Sequence, residues 1–171
     1  MSMQAYSWEP LLLARAQEAY EDRLLYEPIL TEIEPAIPSD TLELAYSHCE
    51  EITRQHSRTF FLASGLLSPE KRRAARALYA FCRISDDLVD HSLGEAFEEL
   101  CSWKQSSLGD QKLQDDLVVM AWIDTRQRFQ IPLRYAEQLI EGVAYDLKKD
   151  RYQNFSELAA YSYGVASTVG L

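Results

Sequence analysis

Residues 77–90 read ALYAFCRISDDLVD, and they decide how the rest of the chain is understood. The stretch holds neither Gly nor Pro, and none follows for a helical turn, so it reads as helix interior. At 3.6 residues per turn, Ala77, Phe81, Ile84 and Leu88 form one apolar stripe. Tyr79, Arg83, Asp86 and Asp90 repeat that spacing two positions on, about 200° round the helix, and share the opposite face. Leu78, Cys82, Ser85 and Val89 flank them, where a solvated face would carry Lys and Glu. Carboxylates one turn apart suit Mg²⁺, which keeps several waters and takes its remaining ligands from substrate phosphate oxygens. The other reading of the same residues is an Arg83–Asp86/Asp87 ion-pair cluster that serves structure only. Buried charge is costly unless paired, so either reading needs a reason for these residues to be there.

Composition narrows the field. The chain has 171 residues, 47% of them hydrophobic and 26% charged, as expected of one helical domain with a real core. It has no run of eighteen apolar residues and no signal-peptide pattern, so a membrane span and secretion are not expected. Seventeen basic against twenty-seven acidic residues give a net charge of −10, which argues against nucleic acid as a partner. An anionic ligand would then need a local basic pocket or bound cations. Cys49, Cys82 and Cys101 are odd in number and lack metal-site spacing, which fits reduced thiols in a cytoplasmic protein.

Outward from the central stretch, Ser68-Pro69 supplies an N-cap and a first-turn proline for its helix. The preceding helix is expected to open at an Asp40/Glu43 capping box and to run to Ser64 before Gly65. Near its end His56-Ser57-Arg58-Thr59-Phe60-Phe61 gathers hydroxyls, a cation and aromatics within two turns. Further upstream, residues 8–26 form a charged amphipathic helix, and residues 27–38, with Pro28, Pro35 and Pro38, form a linker. Downstream, a short helix is expected over residues 94–105 and an amphipathic one over 113–129. Asp115-Asp116 in the latter reads as a macrodipole partner, and Asp124 as a surface residue. Pro132 opens a helix to about Lys148, and around its C-terminus Asp146 and Asp150 again stand four apart. Asn154 with Glu157 makes another capping box, and the small residues 164, 166, 167 and 170 would allow close approach of a helix or ligand.

Three separated segments carry a resemblance: HSRTFFLASGLL (56–67), RAARALYAFCRISDDLVD (73–90) and GVAYDLKKDRYQNFSELAAYSYGVASTVG (142–170). In order and spacing the chain resembles the squalene/phytoene synthases, the head-to-head trans-prenyltransferases, and looks most like their phytoene synthases. The resemblance implies an all-α isoprenoid-synthase fold around a central cavity, where two prenyl diphosphates condense through a cyclopropylcarbinyl diphosphate. Residues 1–38 would be an arm and linker, and residues 39–171 the N-terminal part of the synthase domain. Carried over by position, Asp86 and Asp90 would hold Mg²⁺ (or Mn²⁺) against a diphosphate, with Asp87 adjacent. Arg83 and Tyr79 would orient that diphosphate. Ser57, Arg58 and Phe60 would line its end of the cavity, and Tyr161, Val165, Ala166 and Val169 would line the wall around the isoprenoid chains.

Two departures stand out. Ser167 occupies a place where the family usually has Gly, and the family's second aspartate-rich helix has no counterpart before Leu171. The expectation is therefore an incomplete fold, inactive in isolation, whose uncovered apolar face favours oligomers or helix exchange. Peripheral membrane contact would bring its greasy substrates within reach. Squalene-type, dehydrosqualene-type and hydroxysqualene-type chemistry on a C15 diphosphate are the near alternatives. A non-catalytic prenyl-diphosphate-binding module and a purely structural bundle are the distant ones.

Overall fold

The computed structural model describes residues 9–25, 38–89, 96–109, 116–144 and 151–167, and among them it is helical with no strand. Eight α-helices follow in order: α1 Glu9–Leu25, α2 Ser39–His56, α3 Arg58–Ser64, α4 Pro69–Asp87, α5 Ala96–Leu108, α6 Leu117–Arg128, α7 Leu133–Ala144 and α8 Phe155–Ser162. A π-helical turn, Tyr163–Ser167, continues α8. The chain divides into two compact units, one of Glu32–Leu133 and one of Met1–Thr31 with Arg134–Leu171.

In the first unit α2, α4 and α6 pack on one another, with α3 against α2 and α4 and α5 against α6. The expected stripe of α4 supplies the centre. Ala77 and Phe81 are buried, whereas Ile84 and Leu88 are half-buried. Phe81 stacks on Trp122 at 4.4 Å between ring centres and on Trp103 at 5.9 Å. Each such aromatic pair contributes about 1 kcal/mol beyond its buried area. The polar edges of the two indoles are satisfied: Trp103 Nε1 donates to Ser85 Oγ at 2.9 Å, and Trp122 Nε1 donates to the Ser107 carbonyl at 3.2 Å. Ser85 in turn donates to the Phe81 carbonyl, so the residue beside Asp86 is fixed from two sides.

Several expectations need correcting here. The helix expected from Asp40 to Ser64 breaks at Ser57, whose extended backbone (φ −148°) ends α2 and caps α3. Its hydroxyl accepts the Phe60 N–H at 3.3 Å. Pro38, not Asp40, occupies the N-cap of α2, with no side-chain cap bond. Asp116 is the N-cap of α6 and accepts N–H groups from Val118 and Val119 at 2.8 and 3.0 Å. Asp124 is not a surface residue: it accepts the Tyr46 hydroxyl at 2.6 Å and Arg128 Nε at 2.7 Å, joining α2 to α6. The α-helical hydrogen bonding of α4 ends at Asp87, and Leu88 and Val89 follow as a turn. Asp90, Asp115, Asp146, Asp150 and the 27–37 linker lie outside the described residues.

The second unit is held by small residues and arginines. A Cβ on Gly142 of α7 would lie 3.1 Å from the Gly164 carbonyl carbon, and one on Gly164 would lie 3.2 Å from the Gly142 Cα. The close approach expected of the small residues is therefore made at Gly164, against a glycine on α7. Arg15 of α1 lies over the Tyr163 ring at 4.7 Å. Asn154 caps α8 as expected, accepting the Glu157 N–H at 3.0 Å, while the Glu157 carboxylate reaches back to the Gln153 N–H at 3.2 Å.

Candidate functional site

The candidate diphosphate residues within the first unit stand on α4 and at the start of α3. On α4, Tyr79 and Arg83 are half-buried and Asp86 is exposed. On α3, Phe60 stacks on Tyr79 with ring centres 5.2 Å apart and planes inclined by 21°. That stack joins the two segments that the sequence could only place separately. Ser57 and Arg58 lie at the start of the same short helix, Ser57 half-buried and Arg58 exposed. Because the Ser57 oxygen accepts a backbone N–H, its hydroxyl proton remains for a further acceptor.

What fixes α3 against α4 is a residue that sequence reasoning passed over. Arg76 is 4% exposed, an unusual degree of burial for arginine. Its Nε donates to Ser64 Oγ at 3.1 Å, one NH2 hydrogen goes to the Phe61 carbonyl at 3.1 Å, and its NH1 pairs with Glu50 at 3.0 Å. The guanidinium also covers the Phe61 ring at 4.1 Å. Arg72 donates to the Gly65 and Leu67 carbonyls at 2.9 and 3.1 Å and holds the turn that follows α3. A signal was present in the sequence: Arg76 interrupts the small-residue series Ala74, Ala77 and Ala80 on a helix face that must be buried.

Arg83 makes a two-pronged ion pair one turn along its own helix. Its Nε donates to Asp87 Oδ2 at 3.0 Å, and its NH2 donates to Asp87 Oδ1. Of the Arg83–Asp86/Asp87 cluster read from the sequence, the pair to Asp87 is present. Burial raises the Cys82 thiol to about 12, and the Asp86 carboxylate adds to that rise. Cys82 is consequently a protonated packing residue and not a nucleophile.

Among the described residues no group of three or more His, Cys, Asp or Glu side chains could hold a metal ion. Asp86 supplies an exposed hard-oxygen donor, and Asp90 follows it by four residues in sequence. Such a sparse oxygen set fits Mg²⁺, which is commonly held by one or two carboxylates plus substrate phosphates. In the second unit Tyr161 packs against Tyr152 at 5.1 Å, and Val165 Cγ1 lies close to Gly142, where a Cβ would be 3.2 Å away. Ala166 is exposed, and Val169 lies outside the described residues. Val165 and Ala166 stand in the π-helical turn, a deviation that often marks functional sites in helices.

Tyr79, Arg83 and Asp86 lie along one flank of this all-helical chain. It belongs to the squalene/phytoene synthase family, which it matches over residues 53–171. Among curated relatives it is 37% identical over 151 residues to phytoene synthase 3 of Zea mays, covering 84% of this chain and 34% of that one. It is 39% identical over 140 residues to the 15-cis-phytoene synthase of Synechocystis, covering 80% of this chain and 41% of that one. A crystal structure of a dehydrosqualene synthase in complex with ligand superposes with a TM-score of 0.70 at 28% identity, covering 79% of this chain and 48% of that one. The all-α architecture is thus the isoprenoid-synthase fold. The chain spans between a third and a half of the length of these relatives.

Proposed function

We propose that this chain carries the first diphosphate half-site of a head-to-head prenyltransferase that joins two C20 prenyl diphosphates into phytoene by way of prephytoene diphosphate. The observation that supports it is the α3–α4 constellation, in which Phe60 stacks on Tyr79 one turn before Arg83 and two before Asp86. In this reading Asp86 and Asp90 hold Mg²⁺, with Mn²⁺ as a substitute. The metal supplies Lewis-acid neutralisation of the departing diphosphate.

The side chains do the rest. Arg83 and Arg58 place fixed positive charge where the diphosphate accumulates negative charge, and the Ser57 hydroxyl donates to a phosphate oxygen. The Phe60 and Tyr79 rings offer negatively polarised faces to an allylic cation and exclude water from it. Contact with the isoprenoid chains is the role the family resemblance gives to Tyr161, Val165, Ala166 and Val169.

A C15 substrate is the second reading, because the superposed crystal structure is a dehydrosqualene synthase. No described helix is long and apolar enough to cross a membrane, and in this reading peripheral contact with lipid brings the apolar substrates within reach. Exposed Leu62 and Leu66 supply apolar surface for that contact or for self-association.

The test is titration with non-hydrolysable C20 and C15 diphosphates, with and without Mg²⁺. Mg²⁺-dependent binding that favours C20 supports the reading, and a preference for C15 moves it to dehydrosqualene-type chemistry. Binding that is absent, or indifferent to Mg²⁺, overturns it.

A further inference from the structure

Asp86 and Asp87 are adjacent carboxylates in an acidic motif, and the sequence allows either to be a metal ligand. The structure separates them. Asp87 has both of its oxygens on Arg83, one on Nε at 3.0 Å and one on NH2, across a single turn of α4. Asp86 points about 100° away round the helix and is exposed. We propose that Asp87 is a positioning residue for Arg83 and not a ligand of the metal, an inference that rests on the prenyl-diphosphate reading above.

The chemistry of guanidinium carries the argument. The group has five N–H donors in a rigid planar fork, and the bond pair to Asp87 uses Nε–H and one NH2 hydrogen. One NH1 hydrogen and the second NH2 hydrogen lie side by side along the adjoining edge. That edge presents two parallel donors, the arrangement that matches two oxygens of a phosphate. Asp87 therefore takes one edge of Arg83 and aims the other. Half exposure of both side chains, at 37% for Arg83 and 29% for Asp87, leaves this outer edge open to a ligand. A metal drawn to Asp87 would have to strip its carboxylate from the guanidinium.

Inorganic pyrophosphate is the probe, titrated by calorimetry across a range of Mg²⁺ concentrations. Asp87→Asn should weaken pyrophosphate binding about fivefold at saturating Mg²⁺ while leaving the Mg²⁺ half-saturation point unchanged. Asp86→Asn should instead raise the Mg²⁺ requirement. In an Arg83→Lys background, where no fork exists, Asp87→Asn should have no further effect on pyrophosphate affinity. A shifted Mg²⁺ requirement in Asp87→Asn would make that residue a ligand and overturn the proposal. Tighter binding would make it a competing latch, and unchanged binding or an undiminished effect in the Arg83→Lys background would leave it without a role through Arg83; each overturns the proposal too.

A measurement on the unaltered chain covers the case in which a variant fails to fold. The Arg83 Nε–H resonance should keep its slow exchange when Mg²⁺ and pyrophosphate are added, and its loss on addition overturns the proposal. If the unaltered chain binds no pyrophosphate at any Mg²⁺ concentration, the diphosphate reading itself falls and takes this inference with it.

Discussion

Tyr46 and Cys49 lie one turn apart on α2, and both are made harder to ionise by the fold. Burial, followed by the Asp124 hydrogen bond, raises the Tyr46 phenol well above its ordinary range. Burial, with the Asp116 charge second, raises the Cys49 thiol from 9.0 to about 12. The sign follows from which state keeps the proton: above pH 9 the unfolded thiol ionises while the folded one does not. The stabilisation is intact below pH 9 and is lost as pH climbs from 9 toward about 12. Urea unfolding should therefore show stability falling in that window by up to about 1.4 kcal/mol per pH unit for each such thiol, Cys82 being raised in the same way. Cys49→Ala should remove the Cys49 share of that fall and leave the Cys82 share. At neutral pH, Tyr46→Phe should cost about 1.5 kcal/mol, because it removes a hydrogen bond to a half-buried carboxylate. An unchanged denaturation midpoint in Tyr46→Phe would show that Arg128 alone satisfies Asp124. The sequence misread Asp124 as a surface residue for a physical reason. Helical periodicity reports which residues share a face, but the tyrosine that buries this one is 78 positions away. The face of α4 was legible for the converse reason, since Tyr79, Arg83 and Asp86 need only the geometry of their own helix to be brought together.

At the scale of elements, helix ends and helix crossings hold the least legible features. Ser57 breaks a run free of Gly and Pro between residues 39 and 64, and only the side-chain cap on Phe60 explains the break. Ser, Thr, Asp and Asn occur too often inside helices for one such residue to announce a new N-terminus. The end of α6 is similar. Gln130 adopts φ 52° in the left-handed region, and the Ile131 N–H returns to the Arg126 carbonyl at 2.9 Å. That closure is the glycine-favoured way of ending a helix, built here on a residue with a Cβ. Gln130→Gly should raise stability by about 1 kcal/mol, read as a rise of several degrees in the thermal midpoint. No rise would mean that the glutamine side chain offsets its own backbone cost. The α7–α8 crossing works in the opposite sense. Gly142→Val places branched carbons where a Cβ alone meets Gly164 backbone at 3.1 Å. It should cost about 2 kcal/mol by overpacking. The crossing was foreshadowed by the small residues after Tyr163, whereas the π-helical turn was not, because its extra residue per turn leaves no mark on composition.

At the scale of the molecule, the fold class was the most legible feature, because helical periodicity runs through segments long enough to outvote single misread residues. The partition into units was not legible, since it depends on which distant helices share a core. The Glu32–Leu133 unit is one continuous stretch of chain, whereas the other is assembled from two separated stretches. That contiguous unit holds Phe81 against Trp103 and Trp122, with Ala45, Cys49, Val119 and Ala121 fully buried nearby. It also contains the whole Arg76 clamp and the Tyr46–Asp124 link, so its core and its buried polar partners are supplied from within. A fragment of residues 32–133 should therefore fold by itself. It should show helical circular dichroism, one cooperative thermal transition and blue-shifted tryptophan fluorescence from Trp103 and Trp122, the two indoles that it contains. Phe81→Ala in that fragment should cost about 4 kcal/mol and shift the emission toward that of exposed indole, since Phe81 lies between both rings. A fragment that stays unfolded, with red-shifted emission already before any mutation, would show that the core of this unit is stable only in the presence of residues 1–31 and 134–171. The candidate residues on α3 and α4 would then depend for their geometry on chain that they do not touch in sequence, and Phe81 would be the wrong place to look for what holds them.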